Sequence, residues 1–233
     1  MQTFAYVASH DLQEPLRKIR QFGDLLKARQ CSFAGDEVVN IERMQLAASR
    51  MSTLIRDLLN FSRISTQRDR DEPVPLNGIV DQVLTIFELV TAETKADIQV
   101  KPLPTVLGDA SQLVQLFQNL VSNALKFHRP SVAPLIHIQA QSIPAHELPP
   151  GVKPARLVKT YYRIDVADTG VGFNEKYLDR IFQVFQRLHG KHEFAGTGIG
   201  LAISERVVTN HGGAITARSQ PGQGSTFSVY LPA

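Results

Sequence analysis

The chain has 233 residues, of which 43% are hydrophobic and 20% are charged, with 15 Gly and 13 Pro. This composition is typical of a folded protein and excludes intrinsic disorder and collagen-like repetition. Cys31 is the only cysteine, so an intramolecular disulfide is excluded and a reducing, cytoplasmic compartment is expected. The net charge of +3 is small and dispersed, which argues against nucleic-acid binding. No apolar run approaches the ~18 residues of a membrane helix, so we expect a soluble chain.

Residues 1–66 show the periodicity of two helices. Apolar or small side chains recur at spacings of three and four residues, which is typical of helices that pack along a seam. The segment from Cys31 to Glu37 contains Gly35 and Asp36 and predicts a turn between antiparallel helices. One hairpin leaves apolar side chains exposed, so we expect two copies to form a four-helix bundle, that is, a homodimer. The seam positions are Ala8, Leu12, Pro15, Ile19, Phe22 and Leu26, then Ile41, Met44, Ala48, Met51, Ile55 and Leu58.

Residues 67–75 contain charges, Pro73 and Pro75, and are interpreted as a linker. Beyond it, residues 76–233 mix helices and strands, which predicts an α/β sandwich. Four prolines between residues 144 and 154 indicate a long, poorly structured hairpin tip. The predicted helices are Leu76–Ala92, Ala110–Phe127 and Ile199–Asn210, and the predicted strands are Ile98–Val100, Leu135–Ile143, Val158–Val166, Ala214–Ser219 and Ser225–Leu231.

Two glycine clusters are candidates for contact with phosphate groups. Gly170 and Gly172 follow a predicted strand at Asp168, and Gly196, Gly198 and Gly200 precede a predicted helix. Glycines before a helix let backbone N–H groups approach an anion, which the helix dipole also favours. Each cluster taken alone is equally compatible with ordinary turn chemistry. Neither matches the dinucleotide fingerprint, and the Walker pattern is absent.

A third candidate lies on the helix over 110–127. Asn119, Asn123 and Lys126 share one face at positions i, i+4 and i+7. An Asn carbonyl oxygen is a suitable Mg²⁺ ligand and Lys is a point charge for phosphate. A solvated polar stripe is the alternative interpretation of the same spacing.

Six segments together resemble the sequence boxes of sensor histidine kinases, in family order and over nearly the whole chain. The segment Ser9–Leu16 resembles the phospho-acceptor box, with a sequence most like those of phytochrome-like and PAS-linked kinases. The other boxes are the asparagine box at Asn119–Lys126, the two glycine clusters with Phe182–Phe185 between them, and a final turn at Gly222–Phe227. The resemblance implies a dimerisation and phosphotransfer domain, residues 1–66, and a Bergerat-type ATP-binding domain, residues 76–233.

The resemblance also implies roles for individual residues. His10 accepts the γ-phosphoryl of ATP and passes it to an aspartate of a response regulator receiver domain, and Asp11 orients the imidazole or acts as a general base. His10 points away from the helical seam, as a nucleophile visited by other domains must. Asn119 and Lys126 join them as catalytic residues, and Asn123 binds Mg²⁺. Asp168 binds the adenine amino group, with Thr226 behind it and Gly170 and Gly172 beside it, and residues 174–195 form a mobile lid. The remaining nucleotide contacts are Arg187, Gly196, Thr197, Gly198, Gly200 and Leu201, with His189 and Lys191 as further phosphate candidates.

Two alternatives share the nucleotide-binding fold. A water-directed ATPase carries a glutamate one turn before the magnesium-binding asparagine, where this chain has Asn119, and an amide is no base. A non-catalytic ATP-sensing scaffold is expected to have lost one of the boxes. Because Met1 stands only nine residues before His10, we also expect the chain to be the core of a longer sensor, whose upstream part and any membrane attachment the sequence does not show.

Overall fold

The computed structural model describes residues 16–24, 26, 36–64, 72–188, 194 and 196–233. The chain divides into two compact units, Met1–Thr66 and Gln67–Ala233. None of the helices in these described ranges is long and apolar enough to cross a membrane.

The first unit is helical, as its periodicity predicts. Helix α1 covers residues 16–24, and α2 covers Asp36–Ile64. The two helices pack closely where Gly23 meets Gln45, because a Cβ at Gly23 would lie 2.8 Å from Gln45 Cγ. Gln45 Nε2 also donates to Asp24 Oδ1 at 2.7 Å. The predicted turn, Cys31 to Glu37, ends two residues too late, since α2 already starts at Asp36. Residues 27–35 lie outside the described part.

Both helices carry apolar side chains that the chain itself does not cover. On α2, Met44, Met51 and Leu58 recur every seven residues and are 60%, 52% and 47% exposed. On α1, Ile19 and Phe22 are exposed as well, whereas Leu16 and Ala48 are buried. The predicted seam therefore separates into a part buried within one chain and an apolar stripe available to a partner.

The second unit is an α/β sandwich built on a mixed five-stranded sheet. The spatial strand order is β2-β4-β5-β7-β6, with β2 parallel to β4 and the other pairs antiparallel. Helix α5 contacts α3, α7 and β5, and α7 contacts β6. We call the face covered by α5 and α7 the inner face. The bounds are β1 Glu72–Pro75, α3 Leu76–Ile86, α4 Glu88–Thr94, β2 Asp97–Val100, β3 Thr105–Gly108, α5 Ala110–Lys126, β4 Leu135–Pro144, β5 Thr160–Asp168, α6 Leu178–Ile181, α7 Gly200–Asn210, β6 Ala214–Gln220 and β7 Gly224–Pro232.

Two boundaries differ from the sequence interpretation. Residues 72–75, interpreted as linker, form β1, which pairs with β3 in a small antiparallel sheet. Prolines are compatible with a strand at such an edge, because they need not donate to the ladder there. The single helix expected over Leu76–Ala92 is interrupted at Phe87, whose N–H bonds to Val83 O and Leu84 O and closes α3. Helix α4 follows with no buried residue.

The β4–β5 connection is ordered, contrary to the expectation of a poorly structured tip. The Tyr161 hydroxyl donates to Arg156 O at 2.7 Å and accepts from Val158 N at 3.1 Å. The backbone of residues 155–156 donates to the carbonyl groups of Gly212 and Gly213. Together these bonds fold the connection over the outer face of the sheet, where it covers Tyr161 and Tyr230. Proline spacing carries no information about such long-range bonds.

The β3–α5 corner is fixed by His211 at the end of α7. Asp109 N donates to His211 Nε2 at 3.0 Å, and Nδ1 bonds to Val207 O at 2.7 Å. The Asp109 side chain then caps α5 by accepting from Ser111 N and Gln112 N. This corner determines where α5 begins, and α5 carries the asparagine box.

We expect Gly108→Ala to destabilise the second unit by about 1–3 kcal/mol, since the added Cβ would strike the His211 ring. Urea unfolding of the full chain measures the loss. Gly78→Ala in α3 is the matched control: nothing lies within 4 Å of its Cβ, so the helix should gain about 0.5–1 kcal/mol. Equal stability of the two variants would contradict the packing role of Gly108.

Candidate active site

Asp168 ends β5 on the inner face of the sheet. Its Oδ1 accepts from Gly170 N at 2.8 Å. Burial raises the pKa of Asp168 to about 6, although the backbone N–H groups of Gly170 and Ser225 favour the ionised form. At neutral pH the carboxylate is therefore a desolvated acceptor with little competition from water. Such a group is suited to accept a hydrogen bond from a ligand amine.

Ser225, not Thr226, lies beside Asp168. In the β5–β7 register Asp168 is opposite Ser225, whereas Thr226 is opposite Ala167. Directly opposite residues share a face and neighbours along a strand alternate, so Thr226 is directed to the outer face. The expectation that Thr226 supports Asp168 is therefore wrong. The parity of buried Phe227 and Val229 is the sequence signal that would have selected Ser225.

Gly170 and Gly172 are required by the protein's own backbone. A Cβ at Gly170 would strike the Phe127 carbonyl oxygen, and one at Gly172, where φ is +61°, would strike that of Gln220. These close approaches allow Val171 N to donate to Phe127 O at 2.8 Å. Gly170 thus docks the loop after β5 onto the end of α5, next to the asparagine box, and Gly172 docks the same loop onto β6.

The two asparagines on α5 differ in the hydrogen bonds that their side chains make. Asn119 Nδ2 donates to Gly200 O at 3.0 Å, and Asn119 Oδ1 accepts from Gln115 Nε2 at 3.2 Å. The half-buried Asn123 side chain makes no hydrogen bond within the described ranges. Asn119 therefore ties α5 to the start of α7, while the Asn123 amide is available to a ligand. Gln115 was not identified from the sequence, because its role depends on a contact one helical turn away.

Lys126 is held near the second glycine cluster. Its Nζ lies 4.1 Å from the centroid of the Phe127 ring, and a Cβ on Gly196 would come within 2.9 Å of it. Burial lowers the pKa of Lys126 to about 8, and the positive charge of Arg187 acts in the same direction. The positive charges of Lys126 and Arg187 therefore repel each other, and an incoming anion would relieve this repulsion.

The glycine loop is supported by residues that precede it. Arg187 donates from Nη1 to Gly196 O at 2.9 Å and from Nη2 to Phe194 O at 2.6 Å. Gly198 has φ of +76°, and a Cβ there would lie 2.8 Å from Gln186 O. The same Cβ would lie 3.0 Å from Phe185 C, so the loop rests on the end of the phenylalanine box and the two residues that follow it.

Helix α7 starts at Gly200, directly after this loop, and no side chain caps it. Its first N–H groups are therefore suited to bind an anion, and half-buried Thr197 and Leu201 lie beside them in the sequence.

Several expected site residues lie outside the described part of the chain. These include the acceptor pair and two phosphate candidates of the lid, namely His10, Asp11, His189 and Lys191. Within the lid expected over residues 174–195, a 3₁₀ turn at Glu175–Tyr177 and helix α6 are described. Among the described candidates, the fold brings Asn119 and Lys126 next to the glycine loop, with Asn123 between them on α5, and brings Asp168 next to Gly170.

Family comparison assigns both units. Residues 108–233 match the family described as "Histidine kinase-, DNA gyrase B-, and HSP90-like ATPase", and residues 1–67 match the "His Kinase A (phospho-acceptor) domain". The chain belongs to the first of these families and combines it with the phospho-acceptor domain, as in a sensor histidine kinase catalytic core.

Relatives support this assignment over the whole chain. It is 40% identical over 233 residues to "Cyanobacterial phytochrome A" of Nostoc sp. strain PCC 7120, covering 100% of this chain and 28% of the relative. It is 30% identical over 237 residues to "Signal transduction histidine-protein kinase BarA" of Escherichia coli strain K12, covering 96% of this chain and 24% of BarA. The chain therefore spans less than a third of the length of these relatives.

A solved structure shares the architecture. Full-length ShkA in complex with AMPPNP is similar with a TM-score of 0.68 and 25% sequence identity, covering 100% of this chain and 46% of ShkA. The expected fold class, helices followed by an α/β ATP-binding domain, is confirmed, as is the expected family.

Proposed function

We propose that this chain uses ATP to phosphorylate its own His10 and then passes the phosphoryl group to an aspartate of a response regulator. The phosphotransfer domain is residues 1–66, and the ATP-binding domain begins with β1 rather than after it. In the first step the imidazole nitrogen bonds to the γ-phosphorus and the bond to the bridging oxygen breaks, releasing ADP. In the second, the aspartate carboxylate takes the phosphoryl group and histidine is regenerated.

One observation carries the choice between kinase and water-directed ATPase. The residue one helical turn before Asn123 is Asn119, and both of its amide atoms are engaged, by Gly200 and Gln115. An amide so held neither removes a proton from water nor moves to do so. Water therefore has no general base at this position, and the phospho-acceptor match over residues 1–67 supports a histidine, proposed as His10, as the nucleophile instead. Asn119 accordingly has a positioning role in this proposal.

The nucleotide roles follow from the site's electrostatics. Asp168 accepts the adenine amine, with Ser225 in the place first expected for Thr226. Lys126, the N–H groups that begin α7 and the glycine loop at Gly196–Gly200 contact the phosphates, and Arg187 keeps that loop in place. Phosphoryl transfer depends on positioning and charge neutralisation more than on covalent participation, which matches a site of this composition.

The side-chain amide of Asn123 on α5 is suited to bind Mg²⁺. Asn123 Oδ1 is a hard oxygen ligand that no side chain or backbone group of the described ranges occupies, whereas Asn119 is fully engaged. When bound, the metal would supply positive charge that offsets the negative charge of the phosphates. The chain's own contribution is to hold one ligand and to present Lys126 nearby.

We expect Asn123→Ala to remove most of the Mg²⁺-dependent part of ATP affinity, by about tenfold or more. Calorimetric titration with ATP in Mg²⁺ and in chelator measures that part. Ser122→Ala, the neighbouring residue on α5, is the control and should keep the full metal dependence. An unchanged metal dependence in Asn123→Ala would remove Asn123 from the site.

The acceptor domain requires a second copy in this proposal. The exposed stripe of Met44, Met51 and Leu58 is the surface that a homodimer would bury. Asp11 orients the His10 ring or accepts its proton, leaving the other nitrogen as nucleophile. The response regulator's receiver domain is the second partner, no nucleic acid takes part, and the reaction takes place in the cytoplasm downstream of a sensor domain.

Product analysis tests the function directly. The full chain is incubated with γ-labelled ATP and Mg²⁺, and ADP, free phosphate and protein-bound label are measured together. A kinase gives protein-bound label that acid removes and alkali does not, in proportion to ADP. ADP matched by free phosphate from the outset, with no protein-bound label, would favour the ATPase alternative.

A further inference from the structure

Three polar side chains form a row across the inner face of the sheet at the nucleobase end of the site. Asp168 on β5 is opposite Ser225 on β7, and Ser225 is opposite Ser219 on β6. Ser219 is buried, with 6% of its surface exposed, and Ser225 is half-buried. Ser225 therefore lies between Asp168 and Ser219, each on a neighbouring strand.

The Ser219 hydroxyl has three partners, and they determine where its proton lies. Phe173 N donates to Ser219 Oγ at 2.8 Å, and Ser219 Oγ is 2.8 Å from Gly224 O. An N–H group only donates and a carbonyl oxygen only accepts, so the single Ser219 proton goes to Gly224 O.

The third partner of Ser219 is the Ser225 hydroxyl, at a distance of 3.1 Å between the two oxygens. Because the Ser219 proton is already committed, this bond forms only if Ser225 donates. The Ser225 hydroxyl then has no proton left for the ligand and presents lone pairs towards the side of Asp168.

We propose that Ser219 is a positioning residue for base selection: it fixes the Ser225 hydroxyl as an acceptor and makes the site favour a 6-amino purine over a 6-oxo purine. This inference rests on the proposed nucleotide site, with the purine next to Asp168. It assigns to Ser219 a role that neither the glycine boxes nor Asp168 performs.

A hydroxyl left to rotate would weaken selection. Serine donates as readily as it accepts, so an unconstrained Ser225 can turn its proton towards a 6-oxo group and accommodate it. With that proton held on Ser219, the oxygen at C6 of a 6-oxo purine faces two acceptors, Asp168 and Ser225. An unpaired acceptor in a partly desolvated site reduces affinity more than a lost bond alone.

The test compares ATP with inosine triphosphate, which differ in the amino or oxo group at C6 and in N1, an acceptor in ATP and an N–H donor in inosine triphosphate. The affinity ratio of the two nucleotides is measured by calorimetry on the full chain and on Ser219→Ala. We expect the preference for ATP to fall by about three- to tenfold in Ser219→Ala, mainly because inosine triphosphate binds better. Ser219→Thr keeps the hydroxyl and should restore the preference.

Two further variants complete the test. Ser219→Cys conserves volume and binds the Ser225 proton weakly, so it should lower the preference even if Ser219→Ala fails to fold. Ser228→Ala, on β7 but directed to the outer face where it bonds Asp165, is the control and should leave the ratio unchanged.

An ATP preference that is equal in wild type and in the folded Ala and Cys variants would overturn the inference while leaving the proposed function intact. Equal binding of both nucleotides by wild type would overturn it too. A wild type that binds neither nucleotide would instead remove the proposed function, and the inference with it.

Discussion

Replacing His10 with Gln should abolish phosphorylation of the chain, reducing label by at least about three orders of magnitude. Glutamine retains polarity and approximate size but has no ring nitrogen to attack the γ-phosphorus. ATP affinity should not change, because the nucleotide contacts all lie in the second unit. Labelling with γ-labelled ATP and calorimetry on the same preparations measure both properties.

The matched control for this variant is His146→Gln. His146 is an exposed histidine of the second unit, with 81% of its side chain accessible. It should accept no phosphoryl group, so its variant should label like wild type. Equal labelling of His10→Gln and wild type would contradict the acceptor assignment.

Asp168→Asn should lose ATP affinity by about tenfold or more and at the same time stabilise the nucleotide-free chain at neutral pH. The new amide keeps an oxygen for Gly170 N but turns a donor towards the adenine amine. The gain in stability follows from removing a buried charge. Because the pKa of Asp168 rises from 3.8 to about 6 on burial, ionisation costs the folded state up to about 3 kcal/mol.

The raised pKa of Asp168 makes the stability of the folded chain depend on pH. Between about pH 4 and 6 the folded wild type binds more protons than the unfolded chain at this site, so its stability falls as the pH rises through that window. Asp168→Asn has no such loss, so the two proteins should have equal stability near pH 4 and diverge up to about pH 6. Thermal unfolding across this range measures the difference.

Asp165→Asn is the control on the same strand. Asp165 faces the outer side and is paired with Arg163 and Ser228, so removing its charge should bring no gain in stability and no loss of ATP affinity. A wild type that is as stable as Asp168→Asn at every pH would contradict the assignment of a buried, destabilising carboxylate.

Helices and central strands of this chain are predictable because their signals are local. Helix α5 has the expected bounds within one residue, since its apolar face repeats at helical spacing and Asp109 caps it. The hairpin of β6 and β7 follows from alternation and the turn residues between the strands. The order of the boxes likewise predicts that Asn123, Lys126 and the glycine loop share one site.

What the sequence does not predict depends on contacts between distant residues. The preference for Ser225 over Thr226 depends on strand parity at a turn, where a shift of one residue reverses the face. The ordered β4–β5 connection depends on bonds from residues 155–156 to Gly212 and Gly213. The sequence predicts nucleotide contact at Gly170 and Gly172, but it does not predict that the carbonyl groups of Phe127 and Gln220 occupy the space that a Cβ would take.

In the proposed reaction, the γ-phosphoryl group of ATP is transferred to a histidine of the same protein rather than to water. Peptide mapping of the full chain after incubation with ATP and Mg²⁺, kept alkaline throughout to preserve phosphohistidine, tests it most directly. We expect the His10 imidazole to be phosphorylated in the presence of ATP and unmodified in its absence. Phosphate recovered only free in solution, or bound to another residue with His10 unmodified, would contradict it.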